Sequence, residues 1–211
     1  WISKSLESFS NDLEKFNIIL ETIISDETSF YSKLKTKDKI SIYWNKVYEP
    51  DHLKLDKEIE KILEKKNIPF KFFKGNILNE YQSITKNDGT PFKVFSPFWR
   101  NAEQVFLDAV PQKTSEIKKL KSKKTIFNSK DTFKQIMPKK DWFKKFDQYW
   151  KPSEDEAHKN LKEFISNRIS NYGVDRDYPS INGSSKLSPY IRNGQIHVAA
   201  IYEKSSKDIK K

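Results

Sequence analysis

No cysteine occurs in the 211 residues. Disulfides, thiolate metal sites, iron–sulfur clusters and cysteine nucleophiles are therefore excluded together. Glycine is scarce, with five in the chain, and no Walker loop, dinucleotide fingerprint or seryl hydrolase elbow can be assembled from them. The histidines His52, His158 and His197 are scattered, without carboxylates at ligand spacing, so no metal site is expected. No apolar run reaches the length of a membrane span, and no secretory pattern opens the chain. A soluble protein without a membrane partner is expected, and nothing marks secretion. Methionine occurs once, at Met137, and the first residue is Trp1. Both facts suggest a piece of a longer protein.

What is abundant is lysine. The net charge is +11, and of the 40 basic residues only Arg100, Arg168, Arg176 and Arg192 are arginine. The charge is read equally well as a nucleic-acid partner or as a solvated surface. Where lysine is the default cation, each arginine points to planar, bidentate pairing that lysine cannot supply. An aromatic content of 14% argues for a real core despite the polarity.

The first eighty residues alternate. Leu6, Phe9, Leu13 and Phe16 recur at helical spacing. Asn17–Ser25 is isoleucine-rich and predicts a buried strand. Thr28–Lys35 predicts a short helix, Ile40–Trp44 a second strand, and Leu55, Ile59, Ile62 and Leu63 a helix stopped by Asn67 and Pro69. Phe70–Phe73 reads as a third strand. That order predicts a parallel sheet flanked by helices, with ligands beyond the carboxyl ends of its strands, where NKVYEPDH follows Trp44.

Residues from Gly75 to about Pro138 read as a long connection with a short helix near Ala102–Val110. In SPFWR, Phe98 and Trp99 read as anchors onto the core, with stacking on a ligand or base as the other use. Lys113–Lys145 holds twelve lysines against three acids and reads as solvated surface. From Trp142 onward helical spacing dominates. Ser153 and Glu156 form a capping box. The helix it starts carries an apolar face of Ala157, Leu161, Phe164, Ile165 and Ile169, which Tyr172 continues. Gly173 is expected as its left-handed cap. A helix-like IHVAAIY precedes a polar end, SSKDIKK, expected to fray.

Three of the five glycines, Gly173, Gly183 and Gly194, cluster around NGSSKLSPYIRNG. Ser184, Ser185 and Ser188 put three hydroxyls in five residues. Gly183 would admit close approach of a ligand, Lys186 adds charge, and a helical turn at Pro189 would leave N–H groups for an anion. The plainer reading, a serine-capped helix start, is favoured by pattern alone.

YWNKVYEP (Tyr43–Pro50), GTPFKVFSPFWR (Gly89–Arg100) and Tyr172 with RDYPSINGSSKLSPYI (Arg176–Ile191) occur in an order that resembles the DNA photolyase/cryptochrome family. The likeness is greatest to class I photolyases acting on cyclobutane pyrimidine dimers, and it runs from about residue 16 to 200. It implies a fold of α/β then all-α: an incomplete N-terminal parallel, Rossmann-like antenna domain (1–78), an interdomain connection (79–138), and the start of a helical FAD-binding domain (139–211).

By that resemblance Tyr172, Ser184, Ser185, Lys186, Leu187 and Ser188 would bind FAD, chiefly its phosphates and ribityl chain. Arg176 would contact the backbone of damaged DNA. Asp51 and His52 stand where folate-type members hold the pterin, and the antenna is left open between folate, another chromophore and none. Ser184 replaces the family's usual threonine and keeps its hydroxyl. RNGQIH (Arg192–His197) departs from the family's phenylalanine-glycine-acid-isoleucine-serine pattern. The family's opening strand, the rest of the flavin pocket and the tryptophan chain that photoreduces the flavin have no counterpart here. No catalytic residue is therefore expected in this chain, nor repair by the chain alone. The expected activity of the whole is light-driven repair by electron transfer from reduced FAD, as a monomer. A cryptochrome-like sensor without repair is the alternative, and a basic nucleic-acid-binding module without cofactor a third.

Overall fold

A computed structural model describes residues 1–35, 40–107, 117–121 and 136–209. The chain divides into a continuous unit, Ile23–Val105, and a discontinuous one made of Trp1–Thr22 and Phe106–Lys211.

In the continuous unit the order is α2 (Glu27–Lys33), β1 (Ile42–Asn45), α3 (Pro50–Lys65), β2 (Phe70–Phe73) and α4 (Phe95–Leu107), counting from α1 (Ile2–Glu14) in the other unit. Asp26 caps α2 by accepting from the Ser29 N–H at 2.8 Å and the Thr28 hydroxyl at 2.7 Å. Both bonds favour the ionised carboxylate and hold the Asp26 pKa below its ordinary value. Pro50 sits in the first turn of α3, where a missing N–H costs nothing. Asn67, at φ 52°, ends that helix, and Pro69 prevents its resumption.

The 16-residue α3 is the crossover that makes β1 and β2 parallel, with Ile42 opposite Phe70 and Asn45 opposite Phe73. Leu34, Ile59, Leu63 and Ile68 form the core, lined by Phe30, Tyr31, Ile42, Trp44 and Phe70. Leu63 is fully buried, and such a side chain contributes about 1.5–3 kcal/mol. Gly75 follows β2 because a β-carbon there would lie 2.1 Å from the Lys46 carbonyl oxygen.

The expected strand at Asn17–Ser25 is absent. Asn17 takes φ 60°, Ile18 donates back to the Leu13 carbonyl at 3.1 Å, and the Phe16 carbonyl accepts from Leu120 N–H at 2.9 Å. These bonds tie the start of the segment to α1 and to residue 120. Among the described residues the sheet has two strands. The short helix expected near Ala102 begins earlier, at Phe95, because Pro97 is tolerated in a first turn. Val110 lies outside the described residues, as do residues 113–116 and 122–135 of the lysine-rich run.

One titration in this unit has a predictable sign. Tyr48 donates to Glu80 at 2.8 Å, and burial followed by that bond pushes its phenol up to about 12. An unfolded tyrosine titrates near about 10. Between these values the folded state binds the proton more tightly. The stabilisation is therefore complete below the unfolded value and is lost as pH rises through the folded one. Urea midpoints should separate wild type from Tyr48→Phe at about pH 8, and the gap should narrow above about pH 10 and close toward about pH 12. A constant gap would refute the assignment.

The discontinuous unit holds α1 with α5 (Glu154–Asn167), α6 (Tyr172–Asp175), α7 (Ser188–Arg192) and α8 (Val198–Ile209). Ser153 caps α5, accepting from the Glu156 N–H at 3.2 Å. Ala157, Leu161, Leu187, Tyr190 and Ile196 are buried together, with Trp1, Trp150, Ile165, Ile191 and Ile201 packed on them. Trp1 meets Tyr190 edge-on at 5.0 Å and Trp150 at 5.8 Å, and its indole N–H donates to the Gln195 side chain at 2.9 Å.

α1 packs with the C-terminal elements because the residue that precedes it, Trp1, closes their aromatic core. Two local expectations change. Gly173 lies within α6, without positive φ. The α5 helix instead ends at Arg168, whose N–H bonds the Phe164 carbonyl, before a 3-10 turn over Ile169–Asn171. The polar end does not fray at SSKDI, since α8 runs to Ile209 with Ser205 donating to the Ile201 carbonyl at 2.8 Å. Lys210 and Lys211 lie outside the described residues.

Candidate functional site

The serine loop is anchored at its C-terminal end and open along its length. Leu187 is 2% exposed and Tyr190 fully buried, so the core holds both ends of the α7 entry. Burial raises the Tyr190 phenol above its ordinary pKa, and Asn160 donates to its oxygen at 3.4 Å. Ser184, Lys186 and Ser188 are exposed, and Ser185 is half-buried. Lys186 takes φ 53°, a left-handed conformation that a non-glycine residue adopts at a cost. The main-chain N–H groups of Ser184, Ser185 and Lys186 have no protein acceptor among the described residues.

Gly183 is closely packed where it enters the loop. A β-carbon there would lie 2.5 Å from Asp175 Cβ and 2.9 Å from its carbonyl oxygen. The close approach seen is to the end of α6. This packing sets the loop against Asp175 and Arg176. Arg176 lies over the Tyr172 ring at 5.7 Å, and Tyr172 meets Phe164 edge-on at 5.5 Å. The Arg176 side chain is half exposed, with only a 3.7 Å approach to Asp177.

Arg176, Ser184 and Lys186 line one open cleft of about 340 Å³ together with Asp175, Tyr178 and Asn182. Two cations, a hydroxyl and free N–H groups bordering one polar cleft can take an anion such as a phosphate. Of the expected site residues, the structure brings Tyr172, Arg176, Ser184 and Lys186 together. Leu187 serves the core. Ser188 opens α7, next to Pro189.

Asp51 and His52 lie in the continuous unit, exposed in the first turn of α3 beyond the carboxyl end of β1. Lys54 reaches Asp51 at 3.2 Å. Trp99 is 41% exposed and stacks on Phe95 at 6.2 Å within α4. Asp175 also lines the cleft, and it carried no signal in the sequence. No cluster able to hold a metal occurs among the described residues.

The family model "DNA photolyase" matches residues 1–118. A deoxyribodipyrimidine photo-lyase of Agrobacterium fabrum is 28% identical over 206 residues, covering 96% of this chain and 42% of that protein. One from Alkalihalophilus pseudofirmus is 32% identical over 160 residues, covering 70% and 30% respectively. The crystal structure of a bacterial class III photolyase from Agrobacterium tumefaciens superimposes with a TM-score of 0.84 at 28% identity, over 96% of this chain and 42% of that one. The chain thus spans less than half the length of these relatives. The solved relative is of class III, so the class I likeness expected from the sequence is not carried forward.

Proposed function

Because this chain belongs to the DNA photolyase family, we propose that it is part of a flavin-dependent, light-driven DNA repair enzyme in which the serine loop holds the phosphates of FAD. The supporting observation is the cleft itself, where free N–H groups of the loop, the Ser184 hydroxyl and Lys186 border one polar space with Arg176. The donor set fits a pyrophosphate, which accepts main-chain N–H groups and neutralises lysine. Tyr172, Ser184, Ser185, Lys186 and Ser188 would hold the cofactor, and Leu187 would brace them from the core.

When bound, FAD supplies the electron that opens the cyclobutane ring of a pyrimidine dimer. This chain's own residues position. Arg176, half exposed, meets a backbone phosphate of damaged DNA and orients the duplex without reading sequence. The dimer's weakened stacking lowers the cost of bringing it out of the helix. Asp51 and His52 are the residues proposed to meet an antenna chromophore, folate or other.

In the complete gene product, Ser185→Ala combined with Ser188→Ala should weaken FAD retention by about tenfold, as expected for hydrogen bonds lost to a charged group. The flavin absorption per protein after desalting reads this directly. Unchanged retention would remove the loop from the cofactor site. Light-dependent splitting of dimer-containing DNA tests the activity, and bound flavin without such splitting would favour a photosensory role.

A further inference from the structure

Arg168 is the best-enclosed of the arginines whose side chains are described in ion pairs. Its side chain is 14% exposed, against 55% for Arg176. It lies at the junction of α5 with the 3-10 turn, and its guanidinium sits over the Phe164 ring at 5.9 Å. One terminal nitrogen approaches Glu163 at 3.5 Å, and the other donates to the Asn182 main-chain carbonyl at 3.4 Å. Its Nε is buried and has no partner among the described residues. A guanidinium so enclosed costs desolvation that one loose ion pair does not offset. Its placement is therefore informative beyond simple stability.

We infer that Arg168 is a positioning residue for the serine loop, fixing the carbonyl of Asn182 so that Gly183 and Ser184 leave it in the direction the cleft requires. This inference rests on the cofactor reading of that loop. Two constraints meet at adjacent residues. Arg168 holds Asn182 from the α5 side, and the close packing of Gly183 on Asp175 holds the next residue from the α6 side. The loop's internal bonds are few: Ile181 donates to Tyr178 at 3.0 Å and Gly183 to Ile181 at 2.8 Å. Without the guanidinium, the Asn182 carbonyl loses its tether and the peptide plane preceding Gly183 can rotate. Only an arginine spans both partners, because its planar fork presents two terminal nitrogens at fixed geometry, whereas a lysine offers one point charge.

The test uses Arg168→Met, Arg168→Lys and Glu163→Gln in the complete gene product, with two readouts. Amide hydrogen exchange at Ile181 and Gly183, followed without added flavin, reads positioning alone. FAD retention reads its consequence at the site. Arg168→Met should speed exchange at both amides by about tenfold, the scale of one lost hydrogen bond from a charged donor. Exchange in the middle of α5 should stay unchanged, and FAD should be held about tenfold more weakly. Arg168→Lys should fail to restore either value.

Unchanged exchange at Ile181 and Gly183 overturns the inference, whatever happens to FAD. Faster exchange with unchanged FAD retention upholds the tether and instead counts against the loop as a cofactor site. If Arg168→Met does not fold, Glu163→Gln decides. Glu163 is half exposed, so this variant should fold and give a two- to fourfold acceleration, roughly the scale of a weak ion pair. No acceleration there overturns the inference as well.

Discussion

Tyr190→Ala is expected to destabilise the discontinuous unit by about 3–5 kcal/mol, the cost of deleting a large buried ring. The ring is fully buried and in edge or tilted contact with both Trp1 and Trp150. A total stability of about 5–15 kcal/mol is usual for a domain, so much of the margin would go. Tyr190→Phe keeps the rings together and loses the bond from Asn160 and the main-chain bond with Lys151, which should cost about 1–2 kcal/mol. Thermal melts of the two variants check this. Similar midpoints would mean that the ring cluster does not carry the core. Because Tyr190 stands three residues beyond Leu187, the alanine variant should also release the serine loop, and the proposed FAD site with it.

Gly183→Ala should be the most damaging small change to the candidate site. The added methyl would meet Asp175 at distances no flexible side-chain end can relieve, since the main-chain carbonyl of Asp175 is among the atoms contacted. Overpacking of this kind costs about 1–3 kcal/mol, and the cheapest escape is for the loop to swing away from α6. Ser184 and Lys186 would then leave the cleft they line. FAD retention should therefore fall below that of the double serine variant, with a lower melting midpoint than wild type. Retention at the wild-type level would show that the loop's contact with Asp175 is irrelevant to the site.

The elements legible from the residues alone were those whose limits are written locally. Phe70–Phe73 falls between Pro69 and Gly75, and its strand appears over the residues expected. Ser153 and Glu156 announce the start of α5 by hydroxyl and spacing. Asn17–Ser25 misled because its isoleucines suggested burial, yet Ile23 and Ile24 are exposed, and Asn17 at φ 60° turns the chain away. Gly173 misled too: it looked like a left-handed cap, yet it takes no positive φ. The packing of Gly183 on Asp175 carried no local signal. In the candidate site, hydroxyls and cations are residue types and could be seen. The left-handed turn at Lys186 and the tether from Arg168 are tertiary facts, and only the rarity of arginine hinted at the second.

The bond from Trp1 to Gln195 joins residues 194 positions apart. At a synthesis rate of about 5–20 residues per second, ~10–40 s pass between the appearance of these two partners on a ribosome. Until Trp150 and the residues after it appear, the apolar side of α1 lacks the core it joins. The residues from Ile23 to Val105 find their contacts among themselves and can fold while it waits. The opening helix is thus exposed to holdase chaperones longer than any other element of the chain, and slow codons between residues 106 and 187 would lengthen its wait without altering a single native contact.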